Sequence, residues 1–244
     1  MLTRVHPLDR LFMPASVAVI GASNDSKRGG GFLLKGLIGN NFKGKLHPVN
    51  PKESEIMGLK GYPSVLDIPG EVDLAVIAVS AGIVPQVIAE CGQKDVKFAV
   101  IHSVGFSELG TEGKALENEV LRLAQQSGIR IVGPNCMGLY CPQVGLNTIA
   151  PLAESGNGTG AVALLGQSGW VTGNFIEMAY EQGLRFSKAV SIGNQGDLTI
   201  EDFLEYFGTD DQTKVIVCYI EGIKRGREFL QLLKRISQGK PIMK

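Results

Sequence analysis

Between residues 16 and 132, short apolar runs alternate with segments whose apolar residues recur at helical spacing. Val17–Ile20, Leu46–Val49, Leu74–Val79, Phe98–Ile101 and Ile129–Val132 are nearly continuous apolar runs, the pattern of strands buried on both faces of a parallel sheet. Gly31–Ile38, Ile83–Cys91 and Gly113–Gln126 have helical spacing, and Glu112, Glu117 and Glu119 put carboxylates near a helix N-terminus, where the peptide dipoles favour them. The connection from Pro51 to Gly70 is expected to be irregular, with Tyr62–Leu66 as its ordered part. Gly133-Pro-Asn-Cys-Met-Gly138 punctuates the chain, and Ser155-Gly-Asn-Gly-Thr-Gly160 reads as loop or linker. A second series follows: strands at Ala161–Leu165, Ala189–Ile192 and Val215–Ile220, helices at Ser168–Gln182, Thr199–Phe207 and Arg225–Ile236. The pattern predicts an α/β protein: a Rossmann-like, doubly wound unit over residues 1–138, a linker over 139–160 and a second α/β unit over 161–244. Gly239–Lys244 resembles the opening of another strand, so the second unit is expected to be truncated here.

Composition narrows the class. With 44% hydrophobic and 20% charged residues, the 244-residue chain is an ordinary globular sequence. Lysine plus arginine equals aspartate plus glutamate at 24 each, so no basic field exists to attract nucleic acid. The longest apolar stretch, Leu74 to Ala89, is interrupted by Ser80, Gly82, Pro85 and Gln86, which argues against a membrane span. Arg4, Asp9 and Arg10 break up the N-terminus, so it does not read as a secretory signal. Cys91, Cys136, Cys141 and Cys218 form no C-x-x-C pair, and His6, His47 and His102 are far apart in sequence. No metal site is expected, and a reducing cytoplasm with free thiols is.

In open α/β sheets ligands lie beyond the carboxyl ends of the strands, so the polar residues of those loops are the candidates. The first strand runs into Gly21-Ala-Ser23-Asn24, followed by Arg28 and a glycine cluster at 29–31, a turn suited to a phosphate at a helix N-terminus. The spacing is not the G-x-G-x-x-G of dinucleotide-binding proteins. Asn50, Pro51 and Lys52 follow the second strand, where a dehydrogenase would carry an acid for the ribose hydroxyls. A lysine suits a ribose phosphate, and a solvated surface charge is the plainer reading. Val79 and Ser80, then Ser103, Val104 and Gly105, then Asn135 and Cys136 complete the first set of loops. Cys136 is either an activated nucleophile or a small thiol packed beneath a ligand. In the second unit Ser168 and Gly169 open a helix, as a phosphate site or a simple cap, and Trp170 excludes the G-x-S-x-G of a hydrolase. Glu221, after Val-Ile-Val-Cys-Tyr-Ile, is a strand-end carboxylate that either faces a ligand or is ordinary surface.

Taken in order, Pro14–Ser23, Pro48–Lys52, Val104–Glu108, Gly133–Gly138, Gln167–Gly169, Ser191–Asp197 and Tyr219–Gly222 resemble the NDP-forming acyl-CoA synthetases, with succinyl-CoA synthetase α subunits as more distant relatives. The resemblance implies a CoA-binding domain followed by a flavodoxin-like domain. It further implies a reaction in which a carboxylic acid, CoA and a nucleoside triphosphate are interconverted with acyl-CoA, diphosphate and phosphate, through an acyl phosphate and a phosphohistidine. Ser23 and Asn24 would touch the CoA diphosphate, Lys52 its phosphates, Ser103–Gly105 the pantetheine, and Asn135 and Cys136 would lie near the thiol. Ser168 and Gly169 would hold the transferred phosphate, and Glu221 would orient the phosphohistidine. None of the three histidines occupies that histidine's position, which is expected beyond Lys244. ATP or ADP with Mg would bind an ATP-grasp region supplied by a β subunit or by fused domains, in an oligomer. Gly173 stands where the succinyl enzymes have a substrate-contacting tyrosine, so succinate is not the expected acid. A CoA-sensing module of a protein acetyltransferase and an NAD(P)-dependent oxidoreductase are the competing readings.

Overall fold

The computed structural model describes residues 6–27, 29–149 and 158–243. The first unit comprises α1 (Asp9–Phe12), β1 (Ser16–Ile20), α2 (Gly29–Gly39), β2 (Lys45–Val49), the hairpin β3 (Glu55–Ile56) and β4 (Leu59–Lys60), β5 (Leu74–Ile77), α3 (Val84–Gln93), β6 (Phe98–Ile101), α4 (Thr111–Ser127) and β7 (Arg130–Val132). Its main sheet is parallel, in the order β2-β1-β5-β6-β7. The second unit comprises β8 (Gly138–Cys141), β9 (Leu146–Asn147), β10 (Val162–Gly166), α5 (Gly169–Glu181), β11 (Phe186–Ser191), α6 (Ile200–Thr209), β12 (Val215–Tyr219), α7 (Gly226–Ile236) and β13 (Ile242–Met243). Its sheet runs β13-β12-β10-β11-β8-β9, parallel from β13 to β11 and antiparallel at the β8–β9 edge. Among the described residues no helix is long and apolar enough to cross a membrane.

Alternation along each strand distributes the side chains between separate apolar layers. Val17 and Val19 of β1 face one layer, while Ala18 and Ile20 face another under α3 and α4. In the second sheet Leu164 and Ala189 pack toward Ile176 and Tyr180 of α5. The remaining faces of both sheets, represented by Val76, Val100, Leu165 and Val190, share a single layer with α2, α6 and α7. Buried apolar contact, the main favourable term in folding, therefore joins the units.

The strand and helix positions follow the sequence pattern within a few residues, and β13 forms where that pattern opens a last strand. The differences have local causes. β11 begins at Phe186, three residues before the apolar run, because Ser187 and Lys188 are buried with partners: Ser187 Oγ lies 2.8 Å from Thr213 Oγ1, and Lys188 Nζ donates to Asp210 at 2.7 Å. The stretch from Pro51 to Gly70 holds the β3–β4 hairpin, whose two-residue turn places Met57 (φ 51°) and Gly58 (φ 77°) in the left-handed region. Asn24 Oδ1 accepts from the Met57 amide at 2.9 Å, so a distant side chain steadies a turn that lacks the usual Asn-Gly signal. Part of the stretch expected as turn and linker forms β8 and β9 on the edge of the second sheet.

The short helix α1 ties the beginning of the chain to the second unit. Phe12 is fully buried and stacks on Tyr206 of α6, with ring centroids 5.2 Å apart, and the Tyr206 hydroxyl donates to Asp9 at 3.0 Å. Phe12→Ala is expected to lower the free energy of unfolding by about 3–5 kcal/mol, read by urea titration. A loss below about 1 kcal/mol would show that α1 is not part of the cooperative core.

Candidate functional site

The order of the first sheet reverses between β1 and β5, the kind of place where a crevice opens at the carboxyl edge. Each loop leaving that edge is bonded to its neighbour. Asn50 Nδ2 donates to Ala22 O at 2.8 Å, Ser103 Oγ donates to Val79 O at 2.5 Å, and the Asn135 amide donates to Ser103 O at 3.1 Å. Gly21 has φ 87° and lies so close to Ala78 O that a Cβ would sit 2.5 Å from it, so only glycine fits. A Cβ on Gly30 or Gly31 would collide with Gly21 O or Asp25 O, because the first turn of α2 is tucked against its own loop. The late glycine cluster thus serves close helix–loop packing.

The candidates divide into groups that are free and groups that are committed. Lys52, Pro51, Ser80 and Val104 are exposed, and Ser23 is half-buried, along one continuous rim. Asn24 and Asn50 have their side chains spent within the protein: Asn24 Nδ2 donates to Glu53 at 2.5 Å, and Asn50 Oδ1 accepts from the Lys52 amide at 2.9 Å. Gly105 and Phe106 donate their amides to Glu108 Oε1 at 2.6 and 3.1 Å, which shapes the loop beside Ser80. Arg28 lies outside the described residues. Cys136 is buried, and burial pushes its thiol up to about 12, which favours the packed thiol over the activated nucleophile.

The second sheet reverses order between β10 and β12, and its crevice is built from the loops after those strands. Ser168 caps α5, its Oγ accepting from the Val171 amide at 3.3 Å. Glu221 is exposed and, among the described residues, its carboxylate has no hydrogen-bond or ion-pair partner. Gln167, which the sequence places in the Gln167–Gly169 motif without a role, is buried between the two loops. Its Oε1 accepts from the Glu221 and Gly222 amides, the second at 2.8 Å, and its Nε2 donates to Gly222 O at 3.0 Å.

Loops of both units meet at the Gly133–Gly138 turn, the first through the bond from the Asn135 amide to Ser103 O. The Met137 amide donates to Ser191 Oγ at 3.1 Å, and Gly169 packs so closely on Met137 that a Cβ would overlap it. Asn194, which the sequence places in the Ser191–Asp197 motif without a role, donates to Glu108 at 2.6 Å and to Glu117 at 3.0 Å, while Asn135 donates to Asn194 Oδ1 at 3.3 Å. Burial alone would raise the Glu117 carboxyl, but hydrogen bonds from Ser107, Asn194 and Lys114 outweigh it and hold the group below the usual range. Lys224 Nζ donates to Asn194 O at 3.0 Å and to Gln195 O at 2.6 Å. The signal for these residues is their place in strand-end loops, but their partners come from other elements. None of the three histidines lies in the loops of Ser168 or Glu221: the His6 ring is tilted 4.9 Å from that of Tyr206, His47 is on β2, and His102, pushed down to about 4 by burial, follows β6.

Two α/β units, each with a point of strand reversal and both touching one shared turn, make a doubly wound fold of the kind that binds ligands at the carboxyl edge of its strands. The family model described as a CoA binding domain matches residues 15–142, and the one described as a succinyl-CoA ligase like flavodoxin domain matches residues 159–243. The chain is 44% identical over 236 residues to acetate–CoA ligase [ADP-forming] I of Archaeoglobus fulgidus, covering 97% of this chain and 34% of the relative. It is 43% identical over 238 residues to acetate–CoA ligase [ADP-forming] II subunit alpha of Pyrococcus furiosus, covering 97% of this chain and 51% of the relative. The apo structure of acetyl-coenzyme A synthetase 1 from Ca. Korarchaeum cryptofilum superposes with a TM-score of 0.91 at 41% identity, over 96% of this chain and 51% of that one. The chain belongs to the NDP-forming acyl-CoA synthetase family, of which it carries the CoA-binding part. It spans 34% and 51% of the length of those two curated relatives.

Burial raises Cys91, Cys136 and Cys218 to about 12 and Cys141 to about 11. At pH 8 the native chain is expected to take up less than about one equivalent of iodoacetamide while the denatured chain reacts at all its cysteines, as counted by mass spectrometry. Alkylation of native Cys136 at the rate of a free thiol would restore it as a nucleophile.

Proposed function

We propose that this chain is the CoA-binding portion of an acid–CoA ligase that interconverts a carboxylic acid, CoA and a nucleoside triphosphate with acyl-CoA, nucleoside diphosphate and phosphate. The observation that carries the reading is the meeting of loops from both units at the Gly133–Gly138 turn, where Gly169 abuts Met137 and the Asn135 amide bonds Ser103 O. CoA fits the first rim from end to end. Lys52 and Ser23 meet its phosphates at the β2–β1 end, and Asn24 shapes that loop through its internal bonds. Ser80, Ser103, Val104 and Gly105 flank the pantetheine, and Asn135 brings the thiol toward the second unit. Cys136 packs beneath that turn and does no chemistry.

In the second unit the leading amides of α5, at Gly169 and Trp170, have no carbonyl four residues earlier within the helix and suit an anionic phosphate. The thioester forms where thiol and acyl phosphate meet, next to Met137. A histidine supplied from outside this chain carries the phosphate to or from the nucleotide. The Glu221 carboxylate bonds one imidazole nitrogen of that histidine and so leaves the other nitrogen nucleophilic. Nucleotide and Mg belong to an ATP-grasp region on a partner subunit or fused domain, and the assembly works in the cytoplasm as an oligomer.

Titration with CoA, dephospho-CoA and NAD in parallel tests the binding half of this reading. CoA is expected to bind and NAD not to compete. Lys52→Ala is expected to weaken CoA by about five- to tenfold, the worth of an exposed charged hydrogen bond, while leaving dephospho-CoA within about twofold. Equal losses for both ligands would remove Lys52 from the ribose phosphate. In the complete enzyme, Glu221→Gln is expected to slow histidine phosphorylation by about ten- to a hundredfold with CoA affinity unchanged. An unaltered phosphorylation rate would sink the role given to Glu221.

A further inference from the structure

The turn that carries Glu221 is exposed, so water alone could satisfy its amides. Instead, a glutamine side chain that is only 9% exposed is spent on it. Gln167 follows directly on β10, and its own amide donates to Tyr219 O at 3.1 Å, continuing the β10–β12 ladder by one step. From that fixed point its side chain takes the amides of both Glu221 and Gly222 on one oxygen and returns a hydrogen bond to Gly222 O at 3.0 Å. Glycine at 222 would otherwise give the peptide wide conformational freedom. Three residues after Glu221, Lys224 pins the far end of the loop to the carbonyls of Asn194 and Gln195, at 3.0 and 2.6 Å. The loop is thus held at both ends, while the carboxylate between them is left without a partner among the described residues.

We propose that Gln167 and Lys224 are positioning residues that fix the Glu221 turn so that its carboxylate is aimed before the histidine arrives. This rests on the role given above to Glu221. A carboxylate that must meet an incoming imidazole within hydrogen-bond distance gains from being held in place, and a misplacement of about 1 Å can cost two orders of magnitude in rate. The side-chain hydrogen bonds of Gln167 all go to the Glu221–Gly222 turn and none to the leading amides of α5.

The test uses the complete enzyme with its histidine and nucleotide site, and follows histidine phosphorylation from labelled nucleotide alongside CoA affinity. Gln167→Ala is expected to slow phosphorylation by about tenfold or more with CoA affinity within about twofold. Gln167→Glu, which keeps the oxygen that accepts from both amides, is expected to recover most of that loss. In a Glu221→Gln background, Gln167→Ala is expected to add less than about twofold, because residues that act through one another are not additive. Lys224→Met is expected to behave in the same way to a smaller degree, and it carries the comparison if Gln167→Ala fails to fold. The proposal is overturned if Gln167→Ala has its full effect in the Glu221→Gln background, or if Gln167→Glu is as slow as Gln167→Ala. A slow Glu221→Gln with a normal Gln167→Ala overturns the positioning role alone. A normal Glu221→Gln overturns the reading of Glu221 as well.

Discussion

Both sheets bury one face in the same apolar layer, and that shared burial determines where the two crevices lie relative to each other. Val76 and Val100 from the first sheet, Leu165 and Val190 from the second, and Phe203 and Phe207 from α6 belong to one contiguous cluster. Separating the units would expose the apolar surface buried between them, at roughly 25 cal/mol per Å². The rigid packing of an interior then carries the position of each sheet to its carboxyl edge. The loops at those edges inherit a fixed separation that no loop sequence could impose alone.

Polar contacts refine what the apolar layer sets. The segment from Asn194 to Leu198 runs along the end of β7: the Gly196 amide donates to Gly133 O at 2.8 Å, the Leu198 amide to Ile131 O at 3.0 Å, and Asp197 accepts from the Ile131 amide at 2.8 Å. Asn194 connects this segment to Glu108 and Glu117, so the loop beside Ser80 and the loop held by Lys224 share a partner. The Glu117 carboxyl is held low, so its contribution is present above the ordinary glutamate range and is lost as pH falls through the lowered value. The junction is therefore a neutral-pH structure that weakens in acid.

Much of the site is visible in the sequence because small and polar residues directly after a buried strand mark the carboxyl edge of the sheet, where ligands bind. Lys52, Ser80, Val104 and Glu221 are legible in this way, and all prove to be exposed at loop tips. Residues that act by holding others are not. The resemblance implies that Asn24 touches the CoA diphosphate, and no sequence pattern shows that both ends of its amide are also bonded to the β3–β4 hairpin and its approach. Gln167 stands without a role beside Ser168 although its side chain makes three bonds to the Glu221 turn. Side chains of one chemical type can bind a ligand or brace a loop, and only the position of their partners distinguishes the two.

The sequence by itself determined the order and nearly the limits of the main strands and helices, because continuous apolar runs and helical spacing report local burial. It also raised the expectation of an anionic ligand in the first unit, through Gly21 and Lys52. Tertiary structure decided the rest: that Ser187 and Lys188 are strand, that β8 and β9 join the second sheet, and that loops of both units meet at one turn. Each of these depends on groups far apart in the chain, such as Lys188 with Asp210 or Asn24 with Met57. Such pairings become favourable only once the shared core has brought the elements together, and no local pattern records them.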